Sequence, residues 1–438
     1  MQIDATSYTD LSIFHPEEEF SVFHKLNFTR TSGGKDWLIR YFKDPFHQLY
    51  QIKSTQDILR LMGEKINSWP EQITNGTLLV IERFLDYNLD PLPRSADQMN
   101  SYLYRLLHSP DFSLARFSLT HFADFIKGLQ KIVELFREVN VPAKLETLLS
   151  KIRILLKHQQ ITELVNRADN KNFSIRETVY YGQFFHATFR QHAMDLIQIF
   201  SQLDAWYSMA YAVRHYDLHF PEVTEQEDPF FEAKGLYHLL LDNPVSYDID
   251  MNPSSNFIFL TGANMAGKST FIKSVGLAVF LAHTGMGVPA KSMKMTLFDG
   301  ILSNINVVDN IAKGESYFFN EVQRIKNTVL RINDGKRWLV LIDELFKGTN
   351  IQDAMKCSST VIRGLIKINH ALFILSTHLY EIGEELKEYP NISFRFFETK
   401  TVDDQLVFSY QLKEGISNDR IGYLILKREK VVELLERL

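Results

Sequence analysis

Residues 262–269 read GANMAGKS, and this stretch decides how the second half of the chain folds. It follows the apolar run of residues 257–260 and leads directly into Thr270-Phe271-Ile272. A strand that turns sharply into a helix points successive backbone N–H groups and the helix N-terminus at one anion. The pattern therefore predicts a phosphate-binding loop between a buried strand and a helix.

The residues of this loop have separate predicted tasks. Gly262 and Gly267 permit the sharp turn. Lys268 can reach the β- and γ-phosphates of a nucleotide, and the Ser269 hydroxyl can hold a magnesium ion that bridges them. The predicted nucleotide-binding residues of the loop are Gly262, Ala263, Asn264, Met265, Ala266, Gly267, Lys268, Ser269 and Thr270.

A second apolar run, residues 339–342, ends in the acid pair Asp343-Glu344. This is expected of a strand that is buried on both faces and carries carboxylates at its C-terminal end. Asp343 is predicted to bind the magnesium ion, and Glu344 is predicted to polarise the attacking water. The alternative is a solvated acid pair after an ordinary buried strand, but the phosphate-binding loop upstream favours the catalytic interpretation.

A third apolar run, residues 372–375, ends in Ser376-Thr377-His378. In an open α/β sheet His378 falls where a sensor of the γ-phosphate would lie. A single His after a strand is more often a structural residue. The order of phosphate-binding loop, acid pair and then His favours the functional interpretation.

Four motifs together resemble the ATPase domain of the MutS family of DNA mismatch repair proteins. They are TGANMAGKST at 261–270, GESYFFNE at 314–321, LVLIDELFKGTN at 339–350 and STHLYEI at 376–382. The resemblance implies an ATPase of the ABC class that works as a dimer, with ATP and Mg²⁺ as cofactors. It also implies that the loop with Gly314 and Ser316 reaches across the dimer to the γ-phosphate held by the partner chain.

The motifs depart from the family at two places. The family usually has Arg and Thr where this chain has Glu315 and Tyr317, and Gly-Arg where it has Phe346-Lys347.

For the nucleotide base, the resemblance implies contacts with Val245 and Tyr410. Val245 follows Asn243-Pro244, and Tyr410 lies in a strand predicted over residues 406–412. The alternating pattern of that strand is equally consistent with plain packing of Tyr410.

The first half of the chain resembles the helical core and lever domains of the same family. Residues 10–62 are similar to the opening of the core, and residues 203–223 to the descending lever helix. Full mismatch-repair proteins carry a mismatch-reading domain and a connector domain ahead of the core. Because Met1 already falls within the core, we expect this chain to lack both domains.

The predicted fold is therefore multi-domain, with a mainly α-helical core and lever region followed by an α/β P-loop NTPase domain of the ABC-ATPase type. The acidic, proline-bracketed residues 221–229 predict an exposed connector. The predicted divisions are the start of the core at 1–75, the helical core and lever region at 76–220, a linker at 221–235 and the ATPase domain at 236–438.

The composition agrees with this interpretation. A chain of 438 residues, 45% of them apolar, can hold two or three domains with their cores. Neither a membrane span nor a secretion signal is indicated, so a cytoplasmic location is expected. Cys357 is the only cysteine, which excludes an internal disulfide and a zinc cluster built on thiolates. The net charge of −5 argues against a generally basic surface that coats nucleic acid.

The leading hypothesis is a homodimeric ATPase of the MutS family whose nucleotide state switches helical levers that engage DNA. Its expected partners are ATP and ADP, DNA and a second copy of the chain, with no membrane. The alternative is an ATP-driven clamp for a protein partner that does not itself recognise mismatched DNA. A chromosome-maintenance ATPase of the coiled-coil type is less favoured, because no long heptad arms flank the nucleotide domain.

Overall fold

The computed structural model of the chain describes residues 1–166, 172–305, 317–402, 405–417 and 430–436. The chain forms two compact units. The first consists of residues 1–25, 44–53 and 215–438, and the second consists of residues 26–43 and 54–214.

The first unit contains a larger and a smaller β-sheet. The larger has the strand order β1-β7-β8-β9-β5-β10-β11 and is parallel from β1 to β10, and β11 is antiparallel to β10. The smaller has the order β2-β6-β3-β4. The strands are β1 (Gln2–Ile3), β2 (Glu222–Thr224), β3 (Phe231–Leu236), β4 (Tyr247–Met251), β5 (Phe257–Thr261), β6 (Ser292–Thr296), β7 (Gly300–Asn304), β8 (Trp338–Asp343), β9 (Ala371–Ser376), β10 (Ile392–Val402) and β11 (Gln405–Glu414).

Helices occur in both units, and the described residues of the second unit form helices joined by loops, without a β-strand. None of the described helices combines the length and the apolar character that a membrane span requires. The α-helices are α1 (Ala5–Asp10), α2 (Val22–Leu26), α3 (Ser32–Lys43), α4 (Leu49–Lys65), α5 (Asn75–Asp86), α6 (Gln98–Leu107), α7 (Ser109–Leu135), α8 (Ala143–Leu156), α9 (Gln159–Asn166), α10 (Ile175–Gln183), α11 (Arg190–His215), α12 (Lys268–His283), α13 (Tyr317–Ile332), α14 (Ile351–Leu365), α15 (Glu381–Leu386) and α16 (Val431–Glu436).

The strand β5, the loop of residues 262–267 and the helix α12 confirm the predicted strand-to-helix turn. The predicted strands that precede Asp343 and Ser376 are also confirmed, as β8 and β9. Every residue of β5, β8 and β9 is buried, as expected of central parallel strands covered on both faces. The prediction of a multi-domain chain that mixes helical and α/β parts is therefore confirmed.

The register of the larger sheet brings the predicted site together at one edge. Leu260 pairs with Ser376, and Asp343 also pairs with Ser376. Parallel strands end at the same edge, so the segments that follow β5, β8 and β9 emerge side by side.

Residues 221–229, predicted to be an exposed and aperiodic connector within a linker at 221–235, differ from that prediction in the structure. The predicted linker contains β2 and most of β3, both of which pair with β6 in the smaller sheet. Val223, Phe231 and Ala233 are buried in this sheet. The two strands were not predictable from the sequence. The stretch between them is acidic, and β2 is too short to show the alternation of a strand.

The compact units also divide the chain differently from the sequence-based domains. Residues 1–25, predicted to open the helical core, belong to the same unit as the sheets. The reason is long-range pairing: β1 adds a parallel edge strand beside β7, and the carboxylate of Asp10 accepts hydrogen bonds from the Ser303 hydroxyl at 2.6 Å and the Ile305 N–H at 2.9 Å.

In the second unit a buried carboxylate fixes the start of α3. Asp204 on α11 is fully buried, and it accepts hydrogen bonds from the N–H groups of Arg30 and Thr31 at 3.1 and 2.9 Å. The Thr31 hydroxyl donates a further bond at 2.7 Å. Burial raises the pKa of Asp204, although these hydrogen bonds act in the opposite direction.

Replacing Asp204 with Ala is expected to lower the free energy of unfolding by about 3 kcal/mol, because the buried donors of Arg30 and Thr31 lose their acceptor. Urea denaturation followed by circular dichroism measures this loss. The matched control is Asp195→Ala, at an exposed position of the same helix, which should cost less than about 0.5 kcal/mol. Equal losses in the two variants would contradict the role of Asp204.

Candidate functional site

Two glycines shape the predicted phosphate-binding loop. Gly262 has φ of 141° and Gly267 has φ of 108°, a left-handed backbone that L side chains rarely adopt. A Cβ atom on Gly262 would also lie 3.2 Å from the carbonyl oxygen of Phe397. The loop can therefore turn from β5 into α12 only because both positions are glycine.

Lys268 is the first residue of α12, and its ammonium group lies inside the loop. The Nζ atom donates hydrogen bonds to the carbonyl oxygens of Gly262 at 2.8 Å and Ala263 at 3.1 Å. Burial lowers the pKa of Lys268, and the negative charges of Glu344 and Asp343 oppose that effect. The side chain that is predicted to contact the phosphates is thus held by the backbone of the loop itself.

Asp343 connects the phosphate-binding loop to the neighbouring strand. The Ser269 hydroxyl donates a hydrogen bond to its Oδ2 atom at 2.5 Å, and the Ser376 hydroxyl donates to its Oδ1 atom. A hydroxyl and a carboxylate oxygen at this separation are hard ligands of the kind that Mg²⁺ accepts. The donor set of Ser269 and Asp343 therefore fits the predicted magnesium ion.

Glu344 follows β8 and is surrounded by basic side chains. Its Oε2 atom lies 2.9 Å from Nζ of Lys347, and its Oε1 atom lies 3.5 Å from Nδ1 of His378 and 3.8 Å from Nζ of Lys268. Burial acts to raise the pKa of Glu344, but the hydrogen bonds from His378 and Lys347 and the charges of Lys347 and Lys268 outweigh it. The pKa of Glu344 is consequently lowered to about 2.

A cavity of about 490 Å³ opens beside the loop. Its lining includes the polar residues Lys268, Ser269 and Glu344 and the residues Val245, Tyr247 and Tyr410. A methyl group on Gly267 would lie 3.4 Å from the Tyr410 ring and 3.8 Å from the Tyr247 hydroxyl, so both tyrosines border the loop. A cavity of this size, with charged, hydroxyl and aromatic side chains in its lining, can accommodate a nucleotide.

The model of MutS domain V matches residues 258–433 of this chain. This range contains the loop, the acid pair and His378. Over this range the chain is similar to the MutS family.

Curated MutS relatives extend the similarity beyond this domain. The DNA mismatch repair protein MutS of Thermotoga maritima is 29% identical over 245 residues, which cover 54% of this chain and 30% of that protein. The MutS protein of Pseudothermotoga lettingae is 24% identical over 392 residues, or 86% of this chain and 47% of that protein. The DNA mismatch repair protein msh3 of Aspergillus fumigatus is 27% identical over 270 residues, or 57% of this chain and 24% of that protein. The chain thus spans less than half the length of these relatives.

The structure brings most of the predicted MutS site residues to one edge of the larger sheet. The loop residues 262–270, Asp343, Glu344 and His378 lie at the ends of β5, β8 and β9, and Val245 and Tyr410 border the same cavity. Gly314 and Ser316, predicted to act in trans, fall outside the described residues. Their role stays a prediction.

Sequence reasoning missed three side chains of this site. Tyr247 opens β4, whose alternating burial is typical of a strand packed on one face. In the sequence Ser376 marks only the end of a predicted strand, whereas in the structure its hydroxyl donates a hydrogen bond to Asp343. Lys347 is one of the positions at which the sequence departs from the MutS pattern. Its spacing of three residues from Glu344 was the available signal, and the structure shows that the two side chains pair.

The lowered pKa of Glu344 predicts a dependence of stability on pH. Its pKa in the folded state, about 2, lies below the ordinary value of 4.5, so the carboxylate stabilises the fold above pH 4.5. This contribution is lost as the pH falls towards the folded value. Between pH 7 and pH 4 the wild type is expected to lose about 1 kcal/mol more unfolding free energy than Glu344→Gln.

Urea denaturation at the two pH values measures this difference, because the other carboxylates cancel in the comparison. Glu384→Gln, which removes an exposed partner of Lys387, is the control and should lose nearly as much as the wild type. If Glu344→Gln also lost as much as the wild type, the electrostatic account of Glu344 would be incorrect.

Proposed function

We propose that this chain is an ATP hydrolase of the ABC class whose nucleotide state switches its helical unit. One observation carries the proposal: Lys268, Ser269, Asp343 and Glu344 meet beside a cavity large enough for a nucleotide. Ion pairs that serve only stability do not need a phosphate-binding loop, a pair of carboxylates and a cavity at the same place. Their coincidence here therefore favours a functional site.

The phosphates of ATP would lie along the N–H groups of residues 262–269 at the start of α12, with Lys268 close to the β- and γ-phosphates. Ser269 and Asp343 would hold the magnesium ion, which when bound offsets negative charge on the phosphates. Val245, Tyr247 and Tyr410 would contact the base.

Glu344 would accept a hydrogen bond from the attacking water and so direct its oxygen at the γ-phosphorus. A bond forms between that oxygen and phosphorus, and the bond from phosphorus to the β-phosphate oxygen breaks, leaving ADP with the electron pair. The proton of the water passes to Glu344 and then to the released phosphate. Lys268 stabilises the charge that develops in the transition state, and His378 would contact the γ-phosphate.

Two such sites would operate in a homodimer, with Gly314 and Ser316 of each chain completing the site of the other. ATP would favour the closed dimer because it binds that state better than the open one. The relatives are named DNA mismatch repair proteins, and we extend DNA binding to this chain as part of the proposal.

A protein-binding clamp that never contacts DNA is the second candidate, and the net charge of −5 favours it. Mobility shifts with homoduplex, mismatched and branched DNA at several salt concentrations separate the two candidates. Phosphate contacts would give affinity that falls steeply with salt, whereas the clamp predicts no specific shift.

Replacing Lys268 with Ala is expected to reduce ATP turnover by about a hundredfold or more, since the ammonium stabilises charge on the transferred phosphoryl group. Steady-state hydrolysis and calorimetric titration with ATP measure the effect. Lys336→Ala is the control, because Lys336 is exposed and pairs locally with Asp334. Undiminished turnover in Lys268→Ala would refute the assignment of this site.

A further inference from the structure

The carboxylate of Glu344 has basic partners on both of its oxygens. Lys268 and His378, on the Oε1 side, are the two groups that a terminal phosphate would also attract. Lys347, on the Oε2 side, makes the shortest of the three contacts, at 2.9 Å. It has no task in the hydrolysis described above.

The loop that carries Lys347 is held by a buried carboxylate on helix α13. Glu321 of α13 is only 4% exposed. Its Oε1 atom accepts a hydrogen bond from the N–H of Lys347 at 3.1 Å, and its Oε2 atom accepts one from the N–H of Gly348 at 3.3 Å. Hydrogen bonds from N–H groups to an ionised carboxylate are stronger than neutral ones, so Glu321 fixes the position of this loop.

The same loop contains two residues in the left-handed region of the backbone. Glu344 and Phe346 both have φ of 60°, which is unfavourable for residues other than glycine. The ring of Phe346 is buried and packs against Phe318 of α13, with 5.6 Å between the ring centroids. The strained conformation is thus held by α13 through both a packed ring and the carboxylate of Glu321.

We propose that Lys347 is a latch that restrains Glu344, and that Glu321 is the positioning residue that seats this latch. The inference rests on the proposed ATP hydrolysis. When a γ-phosphate draws Lys268 and His378 away from Oε1, Lys347 still holds Oε2 and with it the orientation of the carboxylate. Glu344 can then accept a hydrogen bond from the attacking water in the productive direction only when Lys347 leaves.

The position of Lys347 allows such a release. Its side chain is 38% exposed, whereas that of Glu344 is 15% exposed, so the ammonium can move into solvent while the carboxylate stays in place. Glu321 lies on α13, so a displacement of α13 would move Glu321 and unseat the latch.

Lys347→Met removes the charge and keeps the length of the side chain. The rate of ATP hydrolysis in a single turnover is expected to rise about fivefold, which is the upper range for loss of an ion pair with one half-exposed partner. The affinity for ATP, measured by calorimetry, should stay within about twofold, because Lys347 is not among the residues that line the cavity. Lys347→Arg should keep the wild-type rate.

Lys387→Met is the matched control, since Lys387 pairs with Glu384 at the same spacing of three residues and both side chains are exposed. Its hydrolysis rate should equal that of the wild type.

Glu321→Gln tests the positioning role, because an amide offers one acceptor oxygen to two N–H donors. It should raise the single-turnover rate, and the double variant Glu321→Gln with Lys347→Met should be no faster than Lys347→Met alone. A purely structural effect of Glu321 would instead change the rate in the Lys347→Met background as well, which would overturn the positioning role.

The two proposals fail separately. If the wild type does not hydrolyse ATP, the proposed function is wrong. If the wild type hydrolyses ATP and Lys268→Ala does not, but Lys347→Met is unchanged or slower, only the latch is refuted. If a thermal melt shows that Glu321→Gln does not fold, the Lys347 variants alone test the proposed latch.

Discussion

The hydrogen bonds to Asp343 are the constraint on which the candidate site depends. Ser269 donates from the helix after the phosphate-binding loop, and Ser376 donates from the end of the neighbouring strand. One carboxylate therefore connects the ends of β5, β8 and β9. This is only feasible because three apolar strands are buried side by side in parallel register, so that their carboxyl ends coincide.

Glu344 directly follows Asp343, and its carboxylate is largely buried at the same edge of the sheet. A carboxylate largely withdrawn from water is costly unless basic groups surround it, and here Lys268, Lys347 and His378 do so. The same contacts hold it ionised far below neutral pH and restrict its orientation. Stability and regulation of the proposed hydrolysis thus depend on one group of side chains, and α13 can influence both through Glu321.

The sequence was informative where the signal is local. Apolar runs followed by a glycine-rich loop, an acid pair and a His predict both the central strands and most of the site, because each pattern lies within about ten residues. Contacts between distant segments could not be predicted. The pairing of β1 with β7, the strand β2, the hydrogen bonds of Glu321 to Lys347 and Gly348, and the position of Tyr247 in the cavity all depend on the tertiary fold.

The most direct test of the central claim, that Glu344 drives hydrolysis in a nucleotide-closed dimer, is the molar mass of Glu344→Ala by light scattering after size-exclusion chromatography. With ATP and Mg²⁺ the variant is expected to elute as a dimer that retains unhydrolysed ATP, and with ADP it should not. Adding Lys268→Ala should abolish the ATP-dependent dimer. Wild-type turnover in Glu344→Ala, or a mass that is the same in ATP and ADP, would contradict the account.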